Sequence, residues 1–256
     1  MDAIKLDAIK TAIRDVVIAN RILAYEHVLD AYGHVSMRHP HDPSRYLLSR
    51  SLSPGIVTEA DIIEFHLDGT PVSPDEKRPL YLERFIHGGV YEKRPDVMAV
   101  IHSHAEDVLP FTISRRKLRP VLHAVGNMGA HVPVWDIAEK FGDRTTLLVT
   151  NMEQGRDLAG CLDCNRMALM RGHGFVCTGV SIQDLVRLAV YIPKNARVQM
   201  AAMRMCLSDD ESEIRALSQG EIEARLALDP NSPALLRGWE YWAREAGCGD
   251  MLGELY

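Results

Sequence analysis

Two histidines, His102 and His104, stand two positions apart directly after the apolar run 97–101. A short apolar run of this kind, rich in β-branched residues, predicts a buried strand. Because side chains at i and i+2 leave a strand on the same face, the two imidazoles would be able to reach one metal ion. Such a pair is also typical of two rings that hydrogen-bond to loop backbone, so the pair alone leaves both interpretations open.

A third histidine, His173, favours the metal. It lies between Gly172 and Gly174, just before the apolar run 175–179. Glycines on both sides let the backbone turn tightly and approach a ligand closely. We therefore predict that His102, His104 and His173 bind one divalent cation, with manganese or zinc expected and iron as an alternative.

Other candidate ligands are weaker. His34, His39 and His41 crowd around a predicted first strand without a carboxylate at ligand spacing, so no second metal site is predicted there. A substrate contact is predicted instead for His34 or Arg38. The pair Cys161 and Cys164 has zinc-ligand spacing, but no second pair answers it. We interpret both as core thiols, in a chain whose odd number of cysteines indicates reduced thiols.

Composition excludes several function classes. The chain of 256 residues has a net charge of −6 and a pI near 6.0, which argues against non-specific binding of nucleic acid. The basic run 115–117 is interpreted as a solvated helix end. The first residues do not resemble a signal peptide, and no apolar run approaches membrane-spanning length. We expect a soluble, cytoplasmic protein without nucleic-acid or membrane partners.

Helices and strands that would position the histidines can be predicted from apolar periodicity. In the first part of the chain we predict one long helix, or two in succession, over about 2–31 and ended by Gly33. Strands are predicted at 35–37, 46–49 and 62–67, and a helix from Glu83 that stops at 94–96. A hairpin turn is predicted at 68–69. This order predicts a helix followed by an antiparallel meander.

The second part is predicted in the same way. We expect a helix over 105–114, an edge segment at 132–134, an edge strand or helix start at 145–150, a helix over 157–170 and a strand at 175–179. Ser181 caps a helix from Ile182 to about Leu207 that Pro193 should kink. A tail from about residue 208 holds Trp239 and Trp242 on an amphipathic helix, interpreted as packing residues. Without repeats or low-complexity tracts, 1–256 is predicted to be a single domain.

A set of motifs in this sequence, taken in order, resembles the class II aldolase/adducin family. The resemblance rests on Glu83, the block 91–96, His102-Ser103-His104 and Gly172-His173-Gly174, and extends to 33–38 and 179–198. It implies a three-layer α/β/α fold with a central, mainly antiparallel sheet, and a cyclic homotetramer. It also implies that His102, His104 and His173 hold a divalent metal and that Glu83 is the acid/base carboxylate, which in some members also touches the metal.

The departures from the sugar-phosphate aldolases of this family concern the phosphate site. Those aldolases have an Asn where this chain has His34, a Ser-Ser pair where it has Tyr81 and Leu82, and a Thr-x-Thr-Gly-type loop where it has 51–55. Each lost donor to a phosphate would cost about 1–3 kcal/mol. The sequence is more similar to a branch of metal-dependent decarboxylases of hydroxylated aromatic dicarboxylates. That branch includes 3-hydroxy-2-methylpyridine-4,5-dicarboxylate decarboxylase and dihydroxyphthalate decarboxylases.

The predicted reaction is therefore decarboxylation of a hydroxylated benzene or pyridine dicarboxylate. The metal would stabilise the charge that develops as the carboxylate leaves, and Glu83 or a water it holds would protonate the ring carbon. We expect substrate contacts from His34 and Ser36, and an arginine on the second carboxylate: Arg38, Arg50 or Arg171. The alternatives are an aldolase acting on a non-phosphorylated hydroxy-oxo acid, an Fe(II) oxygenase, and a non-catalytic scaffold like the adducin head.

Overall fold

The computed structural model describes residues 3–206, 213–230 and 232–253. Their centre is a seven-stranded sheet in the order β3-β2-β1-β4-β7-β6-β5. Every pair is antiparallel except β5 and β6, which are parallel. The strands are β1 His34–Arg38, β2 Arg45–Ser49, β3 Ile62–His66, β4 Ala99–Ser103, β5 Val134–Trp135, β6 Met167–Met170 and β7 Gly174–Gly179.

Helices cover both faces of this sheet. Along β4, Ile101 enters one apolar cluster and Val100 the other, as the alternation of side chains along a strand requires. The first cluster includes buried residues of α1 Ala3–Tyr25, α6 Ile182–Met205 and α8 Pro233–Glu245, and the second includes those of α2 Arg84–Lys93 and α5 Met152–Leu162. The predicted three-layer α/β/α arrangement with a mainly antiparallel sheet is confirmed. Short helices α3 Leu109–Ile113, α4 Ile137–Phe141 and α7 Gln219–Leu226 complete the described α-helices.

In the N-terminal third of the chain, the predicted helix and antiparallel meander are confirmed, and one boundary is corrected. The helix α1 ends at Tyr25 rather than near Gly33, because His27 has a φ of 56° and the chain turns there. Strands β1, β2 and β3 then pair in succession, and Asp68-Gly69 closes the predicted turn, with Gly69 at a φ of 81°. The predicted strand 97–101 is shifted by two residues, so His102 lies within β4 and His104 just beyond it.

The helices α2 and α5 lie in direct backbone contact. A Cβ on Gly155 of α5 would stand 2.2 Å from the carbonyl oxygen of Phe85, and one on Gly89 of α2 would stand 2.5 Å from Gly155. Such distances exclude any side chain at these positions. The contact fixes where α2 begins, and Glu83 is the residue that precedes its first turn.

One prediction, the helix over 157–170, was wrong in its second half. The helix α5 starts earlier, at Met152 with Asn151 as its N-cap, and stops at Leu162 because Asp163 adopts a φ of 47°. Residues 167–170 form β6, a strand buried on both faces between β5 and β7. A strand buried on both faces is apolar throughout, so its sequence lacks the alternation that separates it from a buried helix.

Two further segments differ from expectation, and a third is confirmed with shifted bounds. Of the helix predicted over 105–114, only α3 is helical. Residues 145–150 form neither a strand nor a helix start, and Leu147 has a φ of 65°. The edge segment predicted at 132–134 is confirmed as the edge strand β5, two residues long and shifted toward Trp135. Cys164 is exposed and Cys161 is half-buried, so the core-thiol interpretation is wrong for Cys164.

The C-terminal part packs on the first apolar cluster. Helix α6 is capped by Ser181, continues through Pro193 and ends at Met205, and the predicted end at Leu207 lies outside the described residues. Trp239 and Trp242 are buried in the cluster that also contains α1 and α6, which confirms their packing role. None of the helices within 3–206, 213–230 and 232–253 is long and apolar enough to cross a membrane.

Candidate metal centre

Three imidazole nitrogens converge at one end of β4. The Nε2 atom of His102 lies 2.9 Å from Nε2 of His104 and 3.3 Å from Nε2 of His173, and the last two are 3.1 Å apart. His102 belongs to β4, His104 follows it, and His173 lies in the tight turn between β6 and β7. Gly172 makes that turn with a φ of 63°. Glycine adopts this left-handed conformation without the steric cost that a Cβ brings.

Each of these rings is oriented through its other nitrogen. Nδ1 of His102 donates to the carbonyl of Phe175 at 3.2 Å, and Nδ1 of His173 donates to the carbonyl of Leu147 at 2.9 Å. Nδ1 of His104 lies 3.2 Å from both carboxylate oxygens of Asp30. A proton held on Nδ1 leaves the lone pair of Nε2 free, which is the state of a metal-binding histidine.

Glu83 completes the cluster from the start of α2. Its Oε2 atom lies 3.3 Å from Nε2 of His102 and 3.5 Å from Nε2 of His173, while Oε1 accepts a hydrogen bond from the Val149 amide at 3.0 Å. Burial raises the pKa of this carboxyl, but the neighbouring His102 and His173 outweigh burial and hold the pKa far below its usual range. Glu83 is therefore an anion at the edge of the histidine cluster.

These four side chains fit a divalent transition-metal ion. One ligand atom from each lies within 4.8 Å of all the others. Nitrogens bound about 2.0–2.1 Å from one zinc ion, at angles from about 90° to tetrahedral, would stand about 3 Å apart, as they do here. Three lone pairs converging at that distance repel one another unless a cation lies between them. Three imidazoles and one carboxylate suit zinc, manganese or iron.

A pocket of about 380 Å³ opens onto the cluster. Its walls contain Leu80, Leu82, Leu148, Tyr32 and Tyr81, and its floor contains His34, Glu83, His104 and His173. Ser51 and Gly172 complete the lining. The pocket thus combines apolar and aromatic residues with three members of the candidate metal site, Glu83, His104 and His173, and none of its described lining residues is an arginine or a lysine.

The structure places the three candidate arginines outside this lining. Arg38 lies at the opposite end of β1 from His34, and four of its N–H bonds donate to the carbonyls of Val97, Pro43, Tyr91 and Arg94. Arg50 and Arg171 each directly precede a lining residue. Nε of Arg50 donates to Asp61 at 2.7 Å, and Nε of Arg171 donates to Asp136.

His34 and Ser36 do lie at the cluster's side of the sheet. His34 pairs directly with His102 across β1 and β4, with ring centroids 5.3 Å apart, and lines the pocket. Ser36, two residues on, points to the same face but contacts the buried His87 and Tyr91 instead of the pocket. Burial lowers the pKa of His34 well below its ordinary value and lowers that of His87 to about 3, so both rings are neutral.

Several residues around the centre were not predicted. His87 and Tyr91 follow Glu83 at spacings of four along α2, a pattern that places them on one helix face and that was available in the sequence. Asp30 and Leu147 lie in irregular segments, where no periodic pattern points to a role. Leu147 holds a positive φ of 65° and presents its carbonyl to His173. This uncommon backbone conformation therefore has a local use.

Comparison with known proteins gives concordant results. The Class II Aldolase and Adducin N-terminal domain matches residues 14–200 of the chain. The decarboxylase tropJ of Talaromyces stipitatus is 38% identical over 251 residues, which cover 91% of this chain and 93% of the relative. A 3,4-dihydroxyphthalate decarboxylase of Arthrobacter keyseri is 28% identical and covers 69% of this chain and 73% of its own length.

The fold has similar solved structures. An aldolase II superfamily protein from Pseudomonas syringae superposes with a TM-score of 0.76 and covers 95% of each chain at 20% sequence identity. At that identity the likeness concerns the fold alone. It agrees with the layer order and sheet described above.

Proposed function

The chain belongs to the class II aldolase and adducin family, and from that premise we propose that it is a divalent-metal-dependent decarboxylase of a hydroxylated aromatic dicarboxylate. As a carbon–carbon lyase it would release carbon dioxide and leave a hydroxylated arene. The observation that supports this most is a pocket lined by three leucines that also reaches Glu83, His104 and His173 of the four-residue cluster.

The walls favour an aromatic ring over a sugar phosphate. Leu80, Leu82 and Leu148 offer flat apolar surface to a ring, and Leu82 replaces a hydroxyl donor of the sugar-phosphate aldolases. The side chains of Leu80, Leu82 and Leu148 have no hydrogen-bond donor, so phosphate oxygens placed against them would lose hydrogen bonds that water supplies. Relatives named as decarboxylases, one of them acting on dihydroxyphthalate, support the same substrate class.

His102, His104 and His173 are proposed to hold the metal, with manganese or zinc preferred and iron as the alternative, and the Glu83 carboxylate lies beside them. When bound, a divalent ion there supplies Lewis-acid stabilisation of negative charge on the ring oxygen and the carboxylate beside it. The hydrogen bonds from the three Nδ1 atoms keep the rings in place for this.

Glu83 is proposed to move the proton. Glu83, or a water held at its Oε2 atom, would pass the proton of the ring hydroxyl to the ring carbon as the C–COO⁻ bond breaks, so the product leaves as a phenolate and Glu83 remains a carboxylate. The Val149 amide holds Oε1 and fixes the carboxylate's orientation throughout.

Arg50 is our proposal for the second carboxylate. It precedes the pocket residue Ser51, and its Nη atoms make no hydrogen bond to another described residue, since Asp61 engages only Nε. A guanidinium with both Nη atoms free can bind a carboxylate in a bidentate way. Arg38 is not retained, because its donors are used by backbone carbonyls.

The test is a panel of hydroxylated benzene and pyridine mono- and dicarboxylates, assayed for carbon dioxide with added Mn(II), Zn(II) or Fe(II). Carbon dioxide release that requires the metal and proceeds without oxygen supports the proposal. Release of pyruvate or an aldehyde from hydroxy-oxo acids instead would identify an aldolase, and a requirement for oxygen would identify an oxygenase. Loss of the preference for dicarboxylates in Arg50→Ala would support the role of Arg50.

We further propose a homo-oligomer, a tetramer or a multiple of one, in the cytoplasm, as is usual in this family. Light scattering of the purified protein measures the oligomer size directly. A monomer at micromolar concentration would contradict this part of the proposal.

A further inference from the structure

A row of four buried polar side chains leads from the pocket into the core. Nδ1 of His34 lies 2.7 Å from Nε2 of His87, whose Nδ1 lies 2.6 Å from Oγ of Ser36, which in turn lies 2.8 Å from the hydroxyl of Tyr91. All four side chains are at most 1% exposed. Such a row of short hydrogen bonds in the core links the pocket-lining ring to a tyrosine deep in the fold.

The periodicity of two elements creates this row. His34 and Ser36 are i and i+2 on β1 and face α2, while His87 and Tyr91 are i and i+4 on α2 and face β1. Glu83 precedes His87 by the same spacing of four residues. The face of α2 that supplies the carboxylate of the metal centre therefore also supplies the row.

The direction of the hydrogen bonds follows from counting protons. The Tyr91 hydroxyl has one side-chain partner in the described chain, Ser36, so its proton points to Oγ of Ser36. The Ser36 proton then has one acceptor left, Nδ1 of His87. The reverse direction would bury the Tyr91 proton without an acceptor, which is unfavourable in a water-free core.

The histidines complete the sequence of donors. Because Nδ1 of His87 accepts, its single proton is on Nε2 and is donated to Nδ1 of His34. Nδ1 of His34 accepts this hydrogen bond and therefore carries no proton, so the proton of the His34 ring is on Nε2. Nε2 of His34 makes no hydrogen bond to a residue within the described ranges, and its ring lines the pocket.

We propose that Ser36, His87 and Tyr91 are positioning residues that fix His34 in the tautomer protonated on Nε2, so that His34 presents an N–H donor to an oxygen of the bound ligand. The adjacent metal-binding rings are held in the opposite tautomer, with the proton on Nδ1. His34 thus binds the ligand's carboxylate or hydroxyl oxygen and is neither a fourth nitrogen ligand nor a base. The identity of the ligand as an aromatic acid rests on the proposed function. The tautomer of His34 rests only on the hydrogen-bond row.

Nitrogen-15 NMR of the zinc-loaded protein with labelled histidine reads the tautomers directly, without substrate. The signals of His34 are those missing from the spectrum of His34→Gln. The proposal predicts protonated Nε2 in His34 and His87, against protonated Nδ1 in His102, His104 and His173. Protonated Nδ1 in His34, or an equal mixture of tautomers, would overturn it.

A pair of tyrosine variants tests whether the Tyr91 hydroxyl fixes the tautomer of His34. Tyr91→Phe removes the hydroxyl that begins the row, and we expect a mixture of His34 tautomers and a kcat reduced about tenfold with the metal retained. Tyr46→Phe is the matched control, since Tyr46 is equally buried in the same apolar cluster but its hydroxyl donates to the carbonyl of Arg84. If both variants changed the His34 tautomer and kcat equally, the effect of Tyr91→Phe would be due to altered packing, and the proposal would be contradicted.

Two amide substitutions at position 34 distinguish the roles of the two nitrogens of the His34 ring. The amide of His34→Gln reaches the place of Nε2 and can donate to the ligand, whereas that of His34→Asn reaches only the place of Nδ1. We expect His34→Gln to keep about tenfold more kcat/KM than His34→Asn, and equal losses would contradict a donor role. If the decarboxylase assay fails while NMR finds the predicted tautomer, the proposed substrate is wrong and the inference about His34 stands.

Discussion

The Oε2 atom of Glu83 lies 3.3 Å from Nε2 of His102, although the two residues come from the start of a helix and the middle of the sheet. This contact places the Glu83 carboxylate against the imidazoles proposed as metal ligands. The position of Glu83 follows from the backbone contact between α2 and α5, because Glu83 directly precedes α2.

Glu83→Gln should separate catalysis from metal binding. The amide keeps the shape of the side chain and its bond to the Val149 amide but cannot accept a proton from the substrate. We expect turnover to fall about 10²–10⁴-fold while three histidines retain the metal. Metal content by mass spectrometry and kcat are measured on the same sample. Glu92→Gln, on the exposed side of the same helix, should leave both unchanged, and full activity of Glu83→Gln would remove Glu83 from the mechanism.

His104→Ala should lose the metal. Removing one of three nitrogen ligands leaves an incomplete site, so dialysis should remove the ion and abolish activity. Addition of excess metal should restore part of the activity if the other ligands remain in place. His66→Ala, an exposed histidine at the end of β3, is the control and should keep its metal. Undiminished metal in His104→Ala would contradict the three-histidine site.

Asp30→Asn tests the support of that ligand. Asp30 accepts the Nδ1 proton of His104 with both oxygens at 3.2 Å, which orients the ring and raises its basicity. We expect metal affinity to weaken by about tenfold, measured by competition with a chelating dye. Asp42→Asn removes a similar carboxylate that accepts from Ser44 away from the centre, and should leave the affinity as in the wild type.

Asp15→Asn should change how stability depends on pH. Burial raises the pKa of Asp15 to about 6, against the opposing effects of Gln183 and Arg14. The folded protein therefore binds a proton between about pH 4 and 6 that the unfolded chain does not, and the ionised Asp15 costs stability above pH 6. Asp15→Asn should be more stable than wild type by about 1–3 kcal/mol at pH 7.5.

That advantage should shrink as the pH falls from 6 to 4, because Asp15 is then protonated in the folded protein and the unfolded chain begins to bind the same proton. Urea denaturation at pH 7.5, 6, 5 and 4 measures the difference in the free energy of unfolding. A difference that stays constant with pH would show that Asp15 does not titrate as described.

Gly155→Ala should disturb the centre from a distance. A methyl group there would stand 2.2 Å from the carbonyl oxygen of Phe85, so α2 must move and Glu83 with it. We expect a loss of about 1–3 kcal/mol in the free energy of unfolding and a fall in kcat. Gly160→Ala on the same helix meets no atom within 4 Å. That substitution should stabilise the protein by about 0.5–1 kcal/mol. Equal effects of the two substitutions would contradict the helix contact.

Residue types and short spacings determined much of this protein in advance. The His-x-His pair, the glycine-flanked His173 and the ordered motifs around Glu83 predicted the four residues that the structure brings together. The meander was also predictable, because short apolar runs bounded by turn residues such as Asp68-Gly69 are visible in the local sequence. The loss of phosphate donors was visible in Leu82 for the same reason, since a leucine has no donor in any fold.

Tertiary structure alone decided the rest. Residues 167–170 became a strand because both of their faces are buried, a circumstance that no local pattern encodes. Arg38 is held away from the pocket by four carbonyl acceptors, three of which lie 53 to 59 residues from it in sequence. The tautomer of His34 depends on Tyr91, because a proton's position is set by whichever acceptors the fold places around it. Sequence supplied the groups, and long-range packing set their distances and their protons.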